Sequence, residues 1–462
     1  MHPIIMFIGR DEELKILENI WSGRSPKTCA VYGRRRAGKT TLVENFCSKK
    51  KHIRFSFIKS TEEKNAALMA SSLSRFTGLD KSDITTFQQA LDALSEIISK
   101  ENIVIFMDEL SYLLEQVPHA SSELQHFIDH SLKKSKSMLI VCSSTVSKIR
   151  MEIENEDMPL YGRFINRIYL KQFHYWQCEK MHPEMDRLDA LKTYMVIGGY
   201  PTYHEIIQDR SFRDMVTRHL IGPNAPLSEE AINKISMELS PIPTIEAILL
   251  DISHGCTDAK MISEKEGISR TLCSKYLREM EELDIVEHLT PMANSDRKTN
   301  IYRIKDPLVA FWHTVLYNNL DLATSSNRET AYDAMSEDLS KFLNDRFTDV
   351  CMDYMRSRFI CKRIGRWWGC IEGERSEIDI VAEIVDNRGS YAILAECRFG
   401  NRKTGVPTLE ELKYRSKFIK GYNNTRFMIF SASGFTEELI DIAEFRNDLE
   451  LVSLDDMFLG WN

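Results

Sequence analysis

Residues 33–40, Gly-Arg-Arg-Arg-Ala-Gly-Lys-Thr, combine two glycines, a lysine and a hydroxyl at the spacing that binds phosphate. A short apolar strand, Cys29 to Tyr32, precedes them and an amphipathic helical pattern follows. In that order, backbone N–H groups and a helix N-terminus cradle an anion. Gly33, Arg34, Arg35, Arg36, Ala37, Gly38, Lys39, Thr40 and Thr41 are the expected cradle. Lys39 is expected to reach the β- and γ-phosphates, and the Thr40 hydroxyl to sit on Mg²⁺. Three consecutive arginines also suit a nucleic-acid backbone. Arg34, Arg35 and Arg36 fill the variable positions of the loop, however, and are expected to face solvent, which leaves the loop to a nucleotide.

Residues 103–109, Ile-Val-Ile-Phe-Met-Asp-Glu, form an apolar run ending in two carboxylates. Such a run reads as a strand buried on both faces whose C-terminal end meets a ligand crevice. Asp108 fits a ligand to Mg²⁺ and its waters. Glu109 fits the base that orients attacking water, so the pair points to hydrolysis as well as binding. A third strand, Ser137 to Thr145, ends in Ser143, Ser144 and Thr145. If it lies between the strands carrying the phosphate loop and Asp108, a hydroxyl such as that of Ser144 can sense the γ-phosphate. Serine and threonine after a strand also serve as turn or cap residues, and both readings stand. Arg163 and Arg167 are candidate arginine fingers, in cis or from a neighbouring subunit, or plain surface residues.

These residues need a wound α/β sheet to position them. Another strand at His52 to Ile58 and helical stretches near 62–77 and 86–100 supply it. The whole chain has 462 residues, 43% of them hydrophobic and 28% charged, too many for one core. No run of about 18 apolar residues suggests a membrane span, and residues 1–10 lack the features of a secretory signal, so a cytoplasmic protein with no membrane partner is expected. The ten cysteines show no CxxC pair and read as reduced thiols. A net charge of −8 excludes a surface basic all over, so nucleic-acid binding has to be argued locally.

Several segments together resemble the archaeal-type branch of the AAA+/STAND ATPases: FIGRDEEL at 7–14, the loop Gly33 to Thr40, FMDE at 106–109, LYGRF at 160–164 and GGYP at 198–201. The resemblance implies that Gly9 and Arg10 lie beside the adenine, that the Gly-Gly-x-Pro segment belongs to a small helical lid, and that the nucleotide is ATP. The family often has glycine where Ser143 stands.

Residues 173–238 are expected to form that helical lid. From Thr244 the pattern reads helix, helix, a Gly-Ile-Ser turn, a helix over 269–283 and two short strands around a polar turn, the order of a winged helix. Arg270, Lys275 and Arg278, with Arg297 and Lys298 in the wing, are the expected phosphate-facing set within residues 269–298. Glu279, Glu281 and Glu282 weaken that field, and such modules also dock proteins. Double-stranded or branched DNA and a protein partner or second copy are both open.

Toward the C-terminus, two strands joined by a turn near 387–390 set Asp379 and Glu396 at comparable depth. Two converging carboxylates are what a Mg²⁺-dependent phosphodiesterase needs. The pattern resembles the PD-(D/E)xK nuclease fold, but Arg398 stands where that family has lysine. A guanidinium cannot readily lose its proton and offers a fork in place of a point charge. Upstream, around Thr348, Asp349 and Asp353, the expected first-helix glutamate is missing. The fold is therefore expected and cleavage is not; Asp379, Glu396 and Arg398 would carry cleavage if it occurred, and otherwise remain as remnants paired with Arg375 or Arg398. The expected organisation is a P-loop NTPase sheet over 1–172, the lid over 173–238, a winged helix over 239–322 and a restriction-endonuclease-like α/β domain over 323–462. The expected activity is ATP hydrolysis driving a switch that acts on DNA, with a non-enzymatic nucleotide-binding scaffold that docks a protein as the rival.

Overall fold

Alternating side chains decide how the first sheet is buried. In the computed structural model, which describes residues 7–24, 27–292, 300–387, 389–419, 421–422 and 424–460, strands β1 (Lys27–Tyr32), β3 (Val104–Asp108) and β4 (Met138–Ser143) are buried at every position. Ala30, Ile105, Met107, Leu139 and Val141 point into one core with Leu73, Leu94 and Leu124. Their alternates Val31, Val104, Phe106, Ile140 and Cys142 point into the other, with Leu17, Leu42 and Phe46. Period-two side chains thus feed two helical layers, and each fully buried Leu, Ile or Phe contributes about 1.5–3 kcal/mol. With β2 (His52–Ser56) and β5 (Asn166–Tyr169) the sheet is parallel throughout, in the order β2-β3-β4-β1-β5. β4 therefore separates the phosphate-loop strand from the Asp108 strand, the placement that a hydroxyl sensor at its end requires.

The chain forms two units, one of residues up to Phe173 together with Gly199–Ile206, the other of His174–Gly198 and Ile207 onward. The expected lid segment is thus split, because Gly199–Ile206 packs with the first unit. A Cβ on Gly199 would lie 1.9 Å from the Phe173 carbonyl oxygen, so only glycine lets the backbone pass there. The Phe173 N–H donates to the Gly199 carbonyl at 2.7 Å.

In the second unit, helices Ile242–Ser253, Ala259–Lys265 and Arg270–Glu282 lead into the antiparallel pair β6 (Val286–Leu289) and β7 (Ile301–Ile304). Arg297 and Lys298 lie outside the described residues. The long helix Ser336–Arg358 precedes β8 (Cys361–Ile371), β9 (Glu374–Asp386) and β10 (Gly389–Arg398), which are antiparallel, followed by β11 (Thr425–Ser431) and β12 (Leu449–Ser453), parallel to β10 and to each other. Sheet order is β12-β11-β10-β9-β8. The boundaries expected at 238 and 322 fall inside this unit. Charge helps to join its parts: Arg303 of β7 pairs with Asp345 at 2.8 Å and Asp349 at 2.6 Å on the long helix, and Arg366 of β8 reaches Asp345 at 2.9 Å. Among the described residues no helix is long and apolar enough to cross a membrane.

Candidate active site

The phosphate loop leaves β1 under a steric constraint. A Cβ on Gly33 would sit 2.4 Å from the Leu170 carbonyl oxygen, and Gly38 (φ 85°) and Arg36 (φ 67°) adopt left-handed backbone. Gly38 caps helix Lys39–Cys47, whose first N–H groups have no partners within the helix and so serve an anion. Lys39 is buried and donates to the Gly33 carbonyl at 2.9 Å and the Arg34 carbonyl at 2.8 Å. Burial lowers its ammonium below the ordinary lysine value, while Glu109 and Asp108 pull it up.

Thr40 and Asp108 meet across the sheet, the Thr40 hydroxyl donating to Asp108 Oδ2 at 3.0 Å. Burial raises the Asp108 carboxyl above the usual range, and Arg54 works against that rise with an ion pair at 2.7 Å. A hydroxyl and a carboxylate at this separation, beside a backbone phosphate cradle, are hard oxygen donors that fit Mg²⁺. Glu109 follows in a left-handed conformation (φ 55°) at the head of helix Leu110–Gln116. For a residue with a Cβ this conformation costs on the order of 1 kcal/mol. Glu109 Oε2 accepts from the Ser144 N–H at 2.9 Å and the Ser144 hydroxyl at 2.7 Å, so the end of β4 fixes the carboxylate. Ser144 is thus brought to the site through Glu109. Ser143 turns away to Ser111 at 2.9 Å.

The arginines of the loop depart from expectation. They are half-buried: Arg35 donates to the Tyr112 hydroxyl at 2.6 Å, and the Arg36 guanidinium lies 5.0 Å from the Tyr203 ring centre. Thr202 adds a bond to the Arg36 carbonyl at 3.4 Å, so the segment after Gly199 rests on the phosphate loop. Gly9 (φ 66°) and Arg10 (φ 71°) turn the chain so that Arg10 donates to the Ala37 carbonyl at 3.1 Å and the Lys171 carbonyl at 2.6 Å. Its guanidinium, 4.4 Å from the Phe173 ring centre, braces the loop.

Arg163 corrects the reading of a finger acting in cis. Its carbonyl accepts from Thr28 at the start of β1, and its guanidinium pairs with Asp129 at 3.1 Å. The loop leaves the other end of that strand, about 16 Å away at about 3.3 Å per residue. Arg167 is likewise engaged, with Glu154 at 3.3 Å. Residues that sequence reasoning missed are Arg54, Tyr112, Thr202 and Tyr203; an arginine inside the apolar pattern of β2 was the visible signal for the first. Glu62, His119 and Glu123 also bring ligand atoms within 4.8 Å of one another, but both glutamates sit in first helical turns, where the helix dipole accounts for them.

In the second unit the β9–β10 register, Ala395 opposite Ile380, sets Asp379 beside Glu396. Asp379 accepts the Cys397 N–H at 2.8 Å. Glu396 lies between Arg398 at 3.0 Å and Arg415 at 3.5 Å, and Arg415 is an addition from helix Val406–Ser416. Asp349 is taken by Arg303, Asp353 by His174 at 2.6 Å, and Thr348 is buried. Burial, with the Asp379 carboxylate second, pushes the Glu396 carboxyl up to about 8 despite the arginines. Below about pH 4.5 the group is protonated folded or unfolded; between there and about pH 8 only the folded chain keeps the proton, so stability falls as pH rises. Glu396→Gln is therefore expected to raise the melting temperature above pH 8 and leave it nearly unchanged near pH 4.5, as thermal denaturation across pH will show.

Residues 7–205 match the model of a family described as an ATPase domain predominantly from Archaea, and residues 312–409 match one described as archaeal and bacterial proteins of unknown function. The chain is 26% identical over 408 residues to the uncharacterised protein MJECL04 of Methanocaldococcus jannaschii, covering 86% of this chain and 88% of that one. A shorter match, 45% over 51 residues, is to the uncharacterised ATP-binding protein MJ0423 of the same organism, covering 11% of this chain and 86% of that one. Among solved structures, the Walker-type ATPase paby2304 of Pyrococcus abyssi is similar at 16% identity and a TM-score of 0.49, over 66% of this chain and 95% of that one. The ORC2 protein of Aeropyrum pernix, in ADPNP–ADP complexes, follows at 13% identity and 0.44, over 72% and 93%. The phosphate loop, the Thr40–Asp108 pair and the fixed Glu109 all lie within residues 7–205, which are similar to ATPase domains found predominantly in Archaea.

Proposed function

We propose that this chain is an ATP-hydrolysing switch of the AAA+/STAND type whose nucleotide site governs a DNA-binding second unit. The observation that carries the hydrolytic reading is Glu109, held by two bonds from Ser144 one residue beyond Asp108. The N–H groups of the loop and Lys39 hold the phosphates, Thr40 and Asp108 hold Mg²⁺, and Glu109 takes a proton from the attacking water. When bound, Mg²⁺ supplies positive charge against the phosphates. The Gly-Gly-x-Pro segment, with Thr202 and Tyr203 just after it resting on the loop, closes the site and excludes water. The chain crosses between the two units at residues 173–174, 198–199 and 206–207, giving the nucleotide state three covalent routes onward. A finger role for Arg163 requires a neighbouring subunit.

For the second unit the reading is a winged helix followed by a nuclease-like domain retired from cleavage. Exposed Arg270, Lys275 and Arg278 on one helix support DNA contact, and the β8–β12 sheet behind the long helix supports the nuclease-like fold. Arg398 and Arg415 on Glu396, and the diversion of Asp349 to Arg303, argue against cleavage. The Lys275–Glu279 pair at 3.7 Å weakens the basic field of that helix, and the rival is a protein-docking scaffold.

The deciding experiment is ATP turnover by the full chain with Mg²⁺, with and without duplex or branched DNA, with strand cleavage read in the same samples. Stimulation without cleavage is expected. Log affinity for DNA should fall linearly with log salt, and Arg270→Ala with Arg278→Ala should reduce that slope by about 2. Turnover indifferent to DNA, or binding indifferent to salt, would transfer the second unit to a protein partner.

A further inference from the structure

Arg54 stands at the metal corner of the site without a part in the chemistry above. It lies on edge strand β2, two residues before the position that pairs with Asp108. One arm of its guanidinium meets Asp108 Oδ2 at 2.7 Å, the oxygen that also accepts from Thr40 at 3.0 Å. The other arm pairs with Glu44 on the phosphate-loop helix, and the group lies 5.4 Å from the Phe106 ring centre. Its Nε is buried and has no hydrogen-bond partner among the described residues, so the guanidinium is held by its two carboxylates and not by a full set of bonds. Its outer side borders an open cleft of about 650 Å³ shared with His52, Ser56, Leu68 and Arg75, which gives it room to withdraw.

We propose that Arg54 is a resident counter-cation of Asp108 that shares the carboxylate with Mg²⁺ and so sets the Mg²⁺ concentration at which the nucleotide site loads. The inference rests on the Mg²⁺–ATP reading of the site. A like charge beside a cation site weakens it, and a guanidinium on the same oxygen competes for the lone pairs that the metal needs. Arg54 is a positioning residue: it acts through Asp108 and touches no reacting atom. Glu44 tunes it, since a guanidinium shared between two carboxylates leans less on either.

The test is a Mg²⁺ titration of mant-ATP fluorescence with the full chain, which reads loading and not turnover. Arg54→Met is expected to lower the Mg²⁺ midpoint about fivefold, because a like charge a few ångströms away is removed. Arg54→Lys, which keeps the charge, should return toward wild type. Glu44→Gln should move the midpoint the other way, upward, which separates competition from loss of fold; thermal melts of each variant accompany the titration. A midpoint in Arg54→Met equal to or above wild type, or one in Glu44→Gln that is unchanged or lowered, overturns the proposal. Should wild type give no mant-ATP signal that Lys39→Ala removes, the ATP reading itself fails and the inference with it. Should that signal be present and the Mg²⁺ midpoint ignore Arg54, only the inference fails.

Discussion

Glu109→Gln is expected to bind ATP at near wild-type affinity and to turn it over about 10²–10⁴ times more slowly, the range that a positioned general base supplies. The amide keeps the size of the side chain and can still accept the Ser144 N–H and hydroxyl through its oxygen, so the end of β4 and the helix Leu110–Gln116 should stay in place. What is lost is the ability to take a proton from water. Single-turnover hydrolysis beside equilibrium nucleotide binding separates the two effects. Unchanged turnover would remove Glu109 from the mechanism and favour the scaffold that binds nucleotide without using it. A parallel loss of binding would point instead to collapse of the strained turn at residue 109. Ser144→Ala helps to discriminate: it removes one of the two bonds to Glu109 and should slow turnover less than Glu109→Gln, because the backbone N–H remains.

Lys39→Ala is expected to weaken nucleotide binding by about 100-fold or more, since charge-assisted bonds to phosphate are worth about 1.5–3 kcal/mol each and the ammonium makes more than one. Its geometry explains the size of the effect. Lys39 is buried and already points along the loop, its ammonium on the carbonyls of Gly33 and Arg34, so it is organised at the phosphate cradle with little chain entropy left to lose. Removing it takes one donor from each of those two carbonyls, so a modest loss of stability should accompany the loss of binding. Isothermal titration with ATP, and thermal melts with and without nucleotide, measure both. A variant that melts like wild type and is still raised by ATP would contradict the assignment.

Local sequence determined the strand, loop and helix proposed to cradle a nucleotide, because their parts are contiguous. Gly33 to Thr40 follow an apolar strand and open a helix, and that order alone sets the glycines and helix N-terminus that would meet a phosphate. The same holds for Asp108 and Glu109 at the end of β3, and for the strand and helix types around them, since alternation and apolar runs report burial directly. Other features depended on partners distant in the chain, and no local pattern carries those. Ser144 acquires a role only because β4 inserts beside β3 and delivers its hydroxyl to Glu109. Arg163 reads like a finger in sequence and is placed at the wrong end of β1 by the connection that precedes β5. Arg35 and Arg36 look like solvent-facing filler until Tyr112 and Tyr203 arrive from residues 77 and 167 positions away. In the second unit, spacing put Asp379 and Glu396 at comparable depth in a hairpin, but their register, the arginines around Glu396 and the diversion of Asp349 to Arg303 are matters of packing. Pattern reports which face of an element is buried, whereas charge pairs and hydrogen bonds between elements depend on register and angle, which only the assembled cores settle.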